Sequence, residues 1–234
     1  CADLLPDHFR FVKGVVDSPD FSLNISREVL QHDNQLKIIA RNLEKKIKAE
    51  LLRLQKEDRE KYETFWKAFG VQLKYGVVAD YGRNKDMLKE LLLFWSSKEG
   101  ANTTLAAYKD RMPEEQPFVY YACGESAEKI AKLPQVERIL DKGYEILYCT
   151  EDVDDFVMKA LEELDGKKFK SVSDEDALPQ TDEEKQAAKE QSEQAAPVLT
   201  AVKEVLGEKI KEARLSSILK SAAVCLTADG PVSL

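Results

Sequence analysis

Strand-like apolar runs alternate with helical segments between residues 117 and 173, and this alternation constrains the fold more than any other feature of the chain. The three runs are PFVYYACG (117–124), YEILYCT (144–150) and KKFKSVS (167–173). Strands joined by helical crossovers are almost always parallel, with right-handed connections and helices on both faces. We therefore predict an α/β fold in which residues 113–173 form a small three-layer α/β/α subdomain with parallel strands.

The preceding part of the chain, residues 1–112, has helical periodicity. Three amphipathic helices are predicted there from apolar residues that recur at three- and four-residue steps. Their apolar stripes are Leu36, Ala40, Leu43, Ile47, Leu51 and Leu54; Tyr62, Phe65, Trp66, Phe69 and Leu73; and Leu88, Leu91, Leu92 and Trp95 in a helix that starts near Asn84. Helices with matching stripes pack against one another, so we predict a helical bundle, preceded by a strand-like run at 9–16.

The last part, residues 174–234, begins with an acidic segment. Residues 174–196 carry eight acids and two lysines, and the segment has a capping-box pattern but no large apolar side chain after residue 181. Such a helix has nothing to bury, so we predict that it links two domains. Pro197 suits the first position of a further helix. The runs EKIKEARLS and AAVCLTA then predict two strands of a truncated α+β unit.

Composition excludes several classes of protein. The net charge is −8, which argues against a nucleic-acid binder, because such proteins normally carry a basic face. No apolar run approaches the roughly 20 residues of a membrane helix. Four dispersed cysteines and two histidines offer no metal-ligand spacing, and they favour a reducing, cytoplasmic compartment. The chain begins without Met and stops directly after a strand-like run, so we expect it to be part of a longer protein.

Few residues stand out as candidates for chemistry. Arg27 and Gln31 are four residues apart, on one face of a helix start that Ser26 can cap. A guanidinium and a carboxamide presented together could hold an anionic ligand, although a surface or salt-bridge role is more common for an arginine. Gly124 lies between a strand and a helix, where backbone amides can bind phosphate, but an ordinary turn is the far more common reason for a single glycine there.

Several long segments resemble the 90-kDa heat-shock chaperone family. They are FRFVKGVVDSPDFSLNISREVLQ (9–31), KIIARNLEKKI (37–47), YETFWKAFGVQLKYGV (62–77), FVYYACGES (118–126), VERILDKGYEILYCTEDVDDF (136–156), LDGKKFKSV (164–172) and GEKIKEARLSSIL (207–219). The segments occur in the family's order and span nearly the whole chain. The resemblance implies that residues 1–112 are the catalytic loop and helical bundle of the family's middle domain. Residues 113–173 would be its small α/β subdomain, and residues 174–234 the linker helix and the first part of the C-terminal domain.

The resemblance also implies a function in ATP hydrolysis. In the family, the arginine that corresponds to Arg27 reaches the γ-phosphate of ATP, and the glutamine at Gln31 lies close to it. ATP with Mg²⁺ would be bound by an N-terminal domain that this chain does not contain, and the homodimer contact would lie in missing C-terminal helices. We therefore expect an ATPase in the intact protein and no ATP hydrolysis by this chain alone.

Client binding is the second implied function. The resemblance places Asp155 and Phe156 in a segment that contacts unfolded or partly folded client proteins, and packing of Phe156 in the subdomain core is the alternative. Phe156 and Cys123 stand where many relatives have Trp and Thr.

Two alternatives remain for the whole chain: a small α/β nucleotide-binding module built on residues 113–173, which would need a phosphate-binding turn, or a helical scaffold. Partners would be the clients, the protein's own N-terminal ATPase domain and a second copy of the protein, with no nucleic acid or membrane.

Overall fold

The computed structural model describes residues 4–16, 34–174, 176–178, 182–216, 219 and 224–225, and within them the protein is mixed α/β. The α-helices are α1 (Asn34–Glu57), α2 (Arg59–Val78), α3 (Lys85–Leu88), α4 (Leu105–Arg111), α5 (Ala127–Ile130), α6 (Pro134–Asp141), α7 (Asp154–Leu161) and α8 (Asp182–Leu206). The strands are β1 (Leu93–Ser96), β2 (Asn102–Thr104), β3 (Val119–Cys123), β4 (Ile146–Cys149), β5 (Glu163–Leu164) and β6 (Lys167–Ser171).

The strands form one sheet in the order β2-β1-β4-β3-β6-β5. At its centre, β3 pairs in parallel with both β4 and β6, which confirms the predicted parallel strands. The edges are antiparallel, since β1 pairs with β2 and β4 and β5 pairs with β6. Strands β1 and β2 come from before residue 113, so the sheet extends beyond the segment in which we predicted it.

Helices cover both faces of the sheet, as predicted for a three-layer arrangement. One face carries Tyr121, Leu147 and Cys149, which share a core with the apolar sides of α2 and α7. The other face carries Tyr120, Ile146 and Tyr148, which pack with Ile130, Val136 and Ile139 from α5 and α6. Because successive side chains of a strand point to opposite faces, both sides of β3 and β4 are buried.

The prediction of a single amphipathic helix from Asn84 to Trp95 is wrong. Helix α3 ends at Leu88, a 3-10 turn covers Lys89–Leu91, and Trp95 lies on β1, where it pairs with Asn102 and Tyr148. Residues 91–94 are four consecutive buried apolar side chains. A helix would point four such side chains in different directions, whereas a strand covered on both faces buries all of them.

Helices α1 and α2 pack against each other as the sequence predicted. Asp58 separates them and caps α2, since its Oδ1 accepts a hydrogen bond of 3.2 Å from the backbone amide of Lys61. Tyr62 is fully buried, and its hydroxyl donates to the carbonyl oxygen of Leu91 at 2.5 Å. This bond ties α2 to the turn that leads into the sheet.

The run at 9–16 is not a strand in the structure. Asp7–Phe9 form a 3-10 turn, and residues 12–16 have no regular structure. Aromatic packing replaces strand pairing, because the ring of Phe11 lies 5.1 Å from that of Phe65 and 4.9 Å from that of Phe69. Gly76 lets the 3-10 turn lie close against α2, since a Cβ at this position would lie 2.6 Å from the Cβ of His8.

Helix α8 differs from the predicted pair of helices. It runs without interruption from Asp182 to Leu206 and contains Pro197 in its interior, so Pro197 does not start a new helix. The residues around Pro197 are exposed, and water can bond the backbone carbonyl that the missing N–H leaves free. The strand predicted at 208–216 is also wrong, because a 3-10 turn, Gly207–Lys209, is followed by irregular chain. Most of AAVCLTA lies outside the described residues.

Of the helices that the structure describes, none has the length and apolar character needed to cross a membrane.

Candidate functional site

Helix α7 carries both of the predicted client-binding residues, and it buries one of them and exposes about half of the other. Phe156 is 49% exposed, whereas its neighbours Asp155 and Val157 are buried. The helix has an apolar side, formed by Val157, Met158 and Leu161, that packs in the core against α2 and the sheet. Phe156 is not among the core side chains, and about half of its surface is presented to solvent.

Tyr121 and Lys159 both contact the buried carboxylate of Asp155. Its Oδ1 accepts a hydrogen bond of 3.1 Å from the hydroxyl of Tyr121 on β3, and its Oδ2 lies 2.6 Å from the Nζ of Lys159. Burial of the Tyr121 ring, together with the adjacent Asp155 carboxylate, raises the pKa of the Tyr121 phenol, so the phenol stays a hydrogen-bond donor. The role of Asp155 that this geometry supports is to fix the rotation of α7 about its axis.

A buried ion pair fixes the start of α7. The Nζ of Lys74 on α2 lies 2.7 Å from the Oδ1 of Asp154, and both side chains are almost fully inaccessible. The ammonium group also lies 5.7 Å from the ring centroid of Trp66 and 5.1 Å from that of Phe94. The backbone amide of Glu151 donates to the Oδ2 of Asp154 at 3.1 Å.

Burying the Lys74–Asp154 pair has a desolvation cost as well as an electrostatic gain. Burial raises the pKa of Asp154, and the nearby positive charge of Lys74 opposes that shift. The pair was not found from the sequence, although one feature pointed to it: Lys74 lies four residues after Gly70 and eight after Trp66, on a helix face that is otherwise apolar. A lysine on such a face needs a buried acid.

A groove of about 380 Å³ lies beside α7. Its apolar lining comes from Tyr121, Met158 and Phe169, and its charged lining from Lys159, Glu162, Glu163 and Lys168. A second hollow of about 280 Å³ lies near Trp66, Lys74 and Trp95. The groove beside α7 combines apolar and charged groups of both signs, which suits a ligand of mixed composition.

Gly124 is explained by packing. A Cβ at this position would lie 2.8 Å from the Cγ1 of Ile130, so only glycine lets the turn approach α5 this closely. Ser126 caps α5 and accepts from the backbone amide of Lys129 at 3.3 Å. Helix α5 has only four residues, so this turn has little capacity to bind a phosphate.

The other two predicted site residues, Arg27 and Gln31, lie outside the described residues. The segments on either side of them are described: Phe11 packs on α2, and α1 begins at Asn34. Among the residues that the structure describes, no group of three or more His, Cys, Asp and Glu side chains could hold a metal ion.

Comparison with known proteins gives consistent matches over the whole chain. A family model described as Hsp90 protein matches residues 1–230. The chain is 58% identical over all 234 residues to the chaperone protein HtpG of Bacillus subtilis (strain 168). It is 55% identical to that of Oceanobacillus iheyensis and 56% identical to that of Clostridium perfringens (strain 13 / Type A), again over its full length. It spans 37% of the length of each of these relatives.

Proposed function

Because this chain belongs to the Hsp90 protein family, we propose that it is a segment of an ATP-dependent chaperone of the stress response. In this proposal α7 presents a binding surface for unfolded client proteins, and Arg27 acts on ATP that is bound elsewhere in the full-length protein. The observation that carries the client-binding function is the half-exposed ring of Phe156 on a helix held in place by the buried Lys74–Asp154 ion pair and by the buried carboxylate of Asp155.

Unfolded proteins expose apolar side chains beside charged and polar ones. Phe156 offers an apolar contact, and the groove lined by Tyr121, Met158 and Phe169 offers a second, with charges of both signs around it. Because α7 is fixed to α2 through Lys74 and to β3 through Tyr121, binding loses little conformational entropy. An apolar contact surface surrounded by charges of both signs can accept many client sequences, as a chaperone requires.

Changing Phe156 to Ser tests the client-binding surface. A bound client would bury the exposed half of the Phe156 ring, and loss of that contact should weaken the binding free energy by about 1 kcal/mol. Affinity for an unfolded model protein should therefore fall about fivefold. Binding is measured by fluorescence anisotropy with a labelled, permanently unfolded protein. The matched control is Ile38→Ser, which removes an exposed apolar side chain from α1. Equal affinities for the two variants, with both folded by circular dichroism, would contradict the proposal.

The proposed role of Arg27 is supported by the family match and by the segment SREVLQ, which contains both Arg27 and Gln31. A fixed guanidinium beside the terminal phosphate offsets the negative charge that develops during phosphoryl transfer. Gln31, four residues after Arg27 in the sequence, would supply a second polar group to the same phosphate. In the proposal, the N-terminal domain of the full-length protein binds ATP and Mg²⁺, and two copies of that protein form a homodimer.

Changing Arg27 to Ala in the full-length protein tests this role. ATP turnover should fall at least about tenfold, while nucleotide affinity should stay near that of the unchanged protein, because the arginine acts on the transition state. Arg53→Ala is the matched control, since Arg53 is an exposed arginine of α1. Gln31→Ala should give a smaller loss. If turnover by Arg27→Ala equals that of Arg53→Ala, Arg27 has no part in hydrolysis.

A further inference from the structure

Two cysteines lie side by side at the carboxyl ends of the central parallel strands. Cys123 is the last residue of β3, Cys149 is the last residue of β4, and the two are register partners. Both contribute to the core on the α2 and α7 side of the sheet, so their side chains project from the same face. The Cys149 thiol donates a weak hydrogen bond of 4.0 Å to the carbonyl oxygen of Leu147 on its own strand.

The two thiols differ in access to solvent. Cys149 is 1% exposed, whereas Cys123 is partly exposed, and neither forms a disulfide in the structure. Burial raises the pKa of the Cys149 thiol, with a smaller contribution from its contact with Cys123. A reagent from solvent therefore reaches Cys123 first, and the buried Cys149 lies beside it on the neighbouring strand.

We propose that Cys123 and Cys149 form a redox-active dithiol that hydrogen peroxide oxidises reversibly to a cross-strand disulfide. The Cys123 thiol releases its proton, and its sulfur attacks one oxygen of hydrogen peroxide. The O–O bond breaks, Cys123 becomes a sulfenic acid, and the departing hydroxide takes up the released proton as water. The Cys149 sulfur then attacks the Cys123 sulfur. The S–S bond forms, the S–O bond breaks, and the departing hydroxide takes up the Cys149 proton as a second molecule of water.

The strand geometry permits the bond and makes it labile. Paired strands lie about 4.8 Å apart, within the roughly 4.4–6.8 Å between the Cα atoms of disulfide-bonded cysteines. Side chains of register partners project in parallel, so their Cβ atoms must approach each other before the bond closes. A disulfide with such strain is more readily reduced than a relaxed one, as a reversible modification requires. It would join the carboxyl ends of β3 and β4 close to the start of α7.

The test uses the chain with Cys1 and Cys225 changed to Ser, so that only the pair remains. After treatment with hydrogen peroxide, the intact mass should fall by two hydrogen atoms, and a digest should contain a peptide that links Cys123 to Cys149. Dithiothreitol should reverse both changes. Persistence of two free thiols, or a chain-to-chain link in place of the internal one, would overturn the proposal.

Two variants separate a dithiol from one reactive cysteine. In Cys149→Ala, over-oxidation of Cys123 to sulfinic acid should be at least about tenfold faster, because no neighbouring thiol captures the sulfenic acid. In Cys123→Thr, Cys149 should stay reduced. Cys149→Ser serves as a second variant if Cys149→Ala does not fold. Equal over-oxidation of Cys123 with and without Cys149 would show that the two thiols do not act together.

Discussion

Helices α7 and α1 both carry ion pairs, but the pairs lie in opposite environments. In α7, Asp154 is paired with Lys74 inside the protein, and Asp155 is buried with Tyr121 and Lys159 as partners. In α1, Arg53 is paired at the surface with acids three residues before it and four residues after it, and its side chain is 52% exposed. The same kinds of residue therefore have different consequences in the two helices.

The difference shows what holds each helix. Helix α1 has 24 residues and a stripe of apolar side chains against α2, so its surface pairs add little. Helix α7 has only eight residues, which is too short to be stable alone. Its position depends on the core and on buried pairs whose members are costly to leave without a partner. Substitutions in the two helices should separate accordingly.

Lys74→Met should have the largest effect. It leaves the buried Asp154 carboxylate without its cation, and the free energy of unfolding should fall by about 3–5 kcal/mol near neutral pH. Urea denaturation measures the change. Lys67→Met on the same helix is the control, since Lys67 is exposed, and its effect should stay within about 0.5 kcal/mol. Similar losses in both variants would mean that the buried pair does not hold α7.

The loss from Lys74→Met should depend on pH. Burial raises the pKa of Asp154 above its usual 3.8, and removal of Lys74 raises it further. A raised folded-state pKa means that the folded protein binds the proton more tightly than the unfolded chain. Stability is therefore retained at low pH and lost as the pH rises through the folded-state pKa. The loss should be larger at about pH 8 than at about pH 5. In Lys74→Met/Asp154→Asn this additional pH dependence should disappear, and its persistence would assign it to another group.

Tyr121→Phe should have an intermediate effect. It removes the hydroxyl that donates to the buried carboxylate of Asp155, so the free energy of unfolding should fall by about 1–2 kcal/mol. Tyr75→Phe on α2 provides the comparison, because Tyr75 is exposed. If the two variants unfold at the same urea concentration, the Tyr121–Asp155 hydrogen bond contributes nothing to stability.

Arg53→Ala should have the smallest effect. Its partners Glu50 and Glu57 are exposed and remain solvated after the change, so the urea midpoint should stay within experimental error. Any small loss should vanish at high salt, because exposed charges are screened. A loss comparable to that of Lys74→Met would reverse the distinction between the two helices.

The sequence predicted the centre of the sheet correctly but not its edge. The runs that became β3, β4 and β6 are bounded by turns and separated by helices, so local pattern and connection handedness were sufficient. The segment that became β1 was misassigned, because leucines at 88, 91 and 92 fit a helical stripe as well as they fit a buried strand. The pairing of Trp95 with Asn102 and with Tyr148 distinguishes the two, and Tyr148 lies far along the chain.

The candidate site was predicted in the same uneven way. The family resemblance selected Asp155 and Phe156, but the sequence did not indicate that one is buried and the other half-exposed. The partners of Asp154 and Asp155 come from α2 and β3, and no local spacing connects Lys74 or Tyr121 to α7. Arg27 and Gln31 rest on the sequence alone, since they lie outside the described residues.

By itself, the sequence determined the helices α1 and α2 and the parallel core of the sheet, because apolar periodicity and connection handedness are properties of neighbouring residues. It also determined the family likeness, through long segments that resemble the family's. The tertiary structure alone decided which charges lie inside, that Phe156 faces solvent and that two thiols are neighbours. Burial and pairing are properties of segments brought together from distant positions, and their energies exist only once water has been excluded between them.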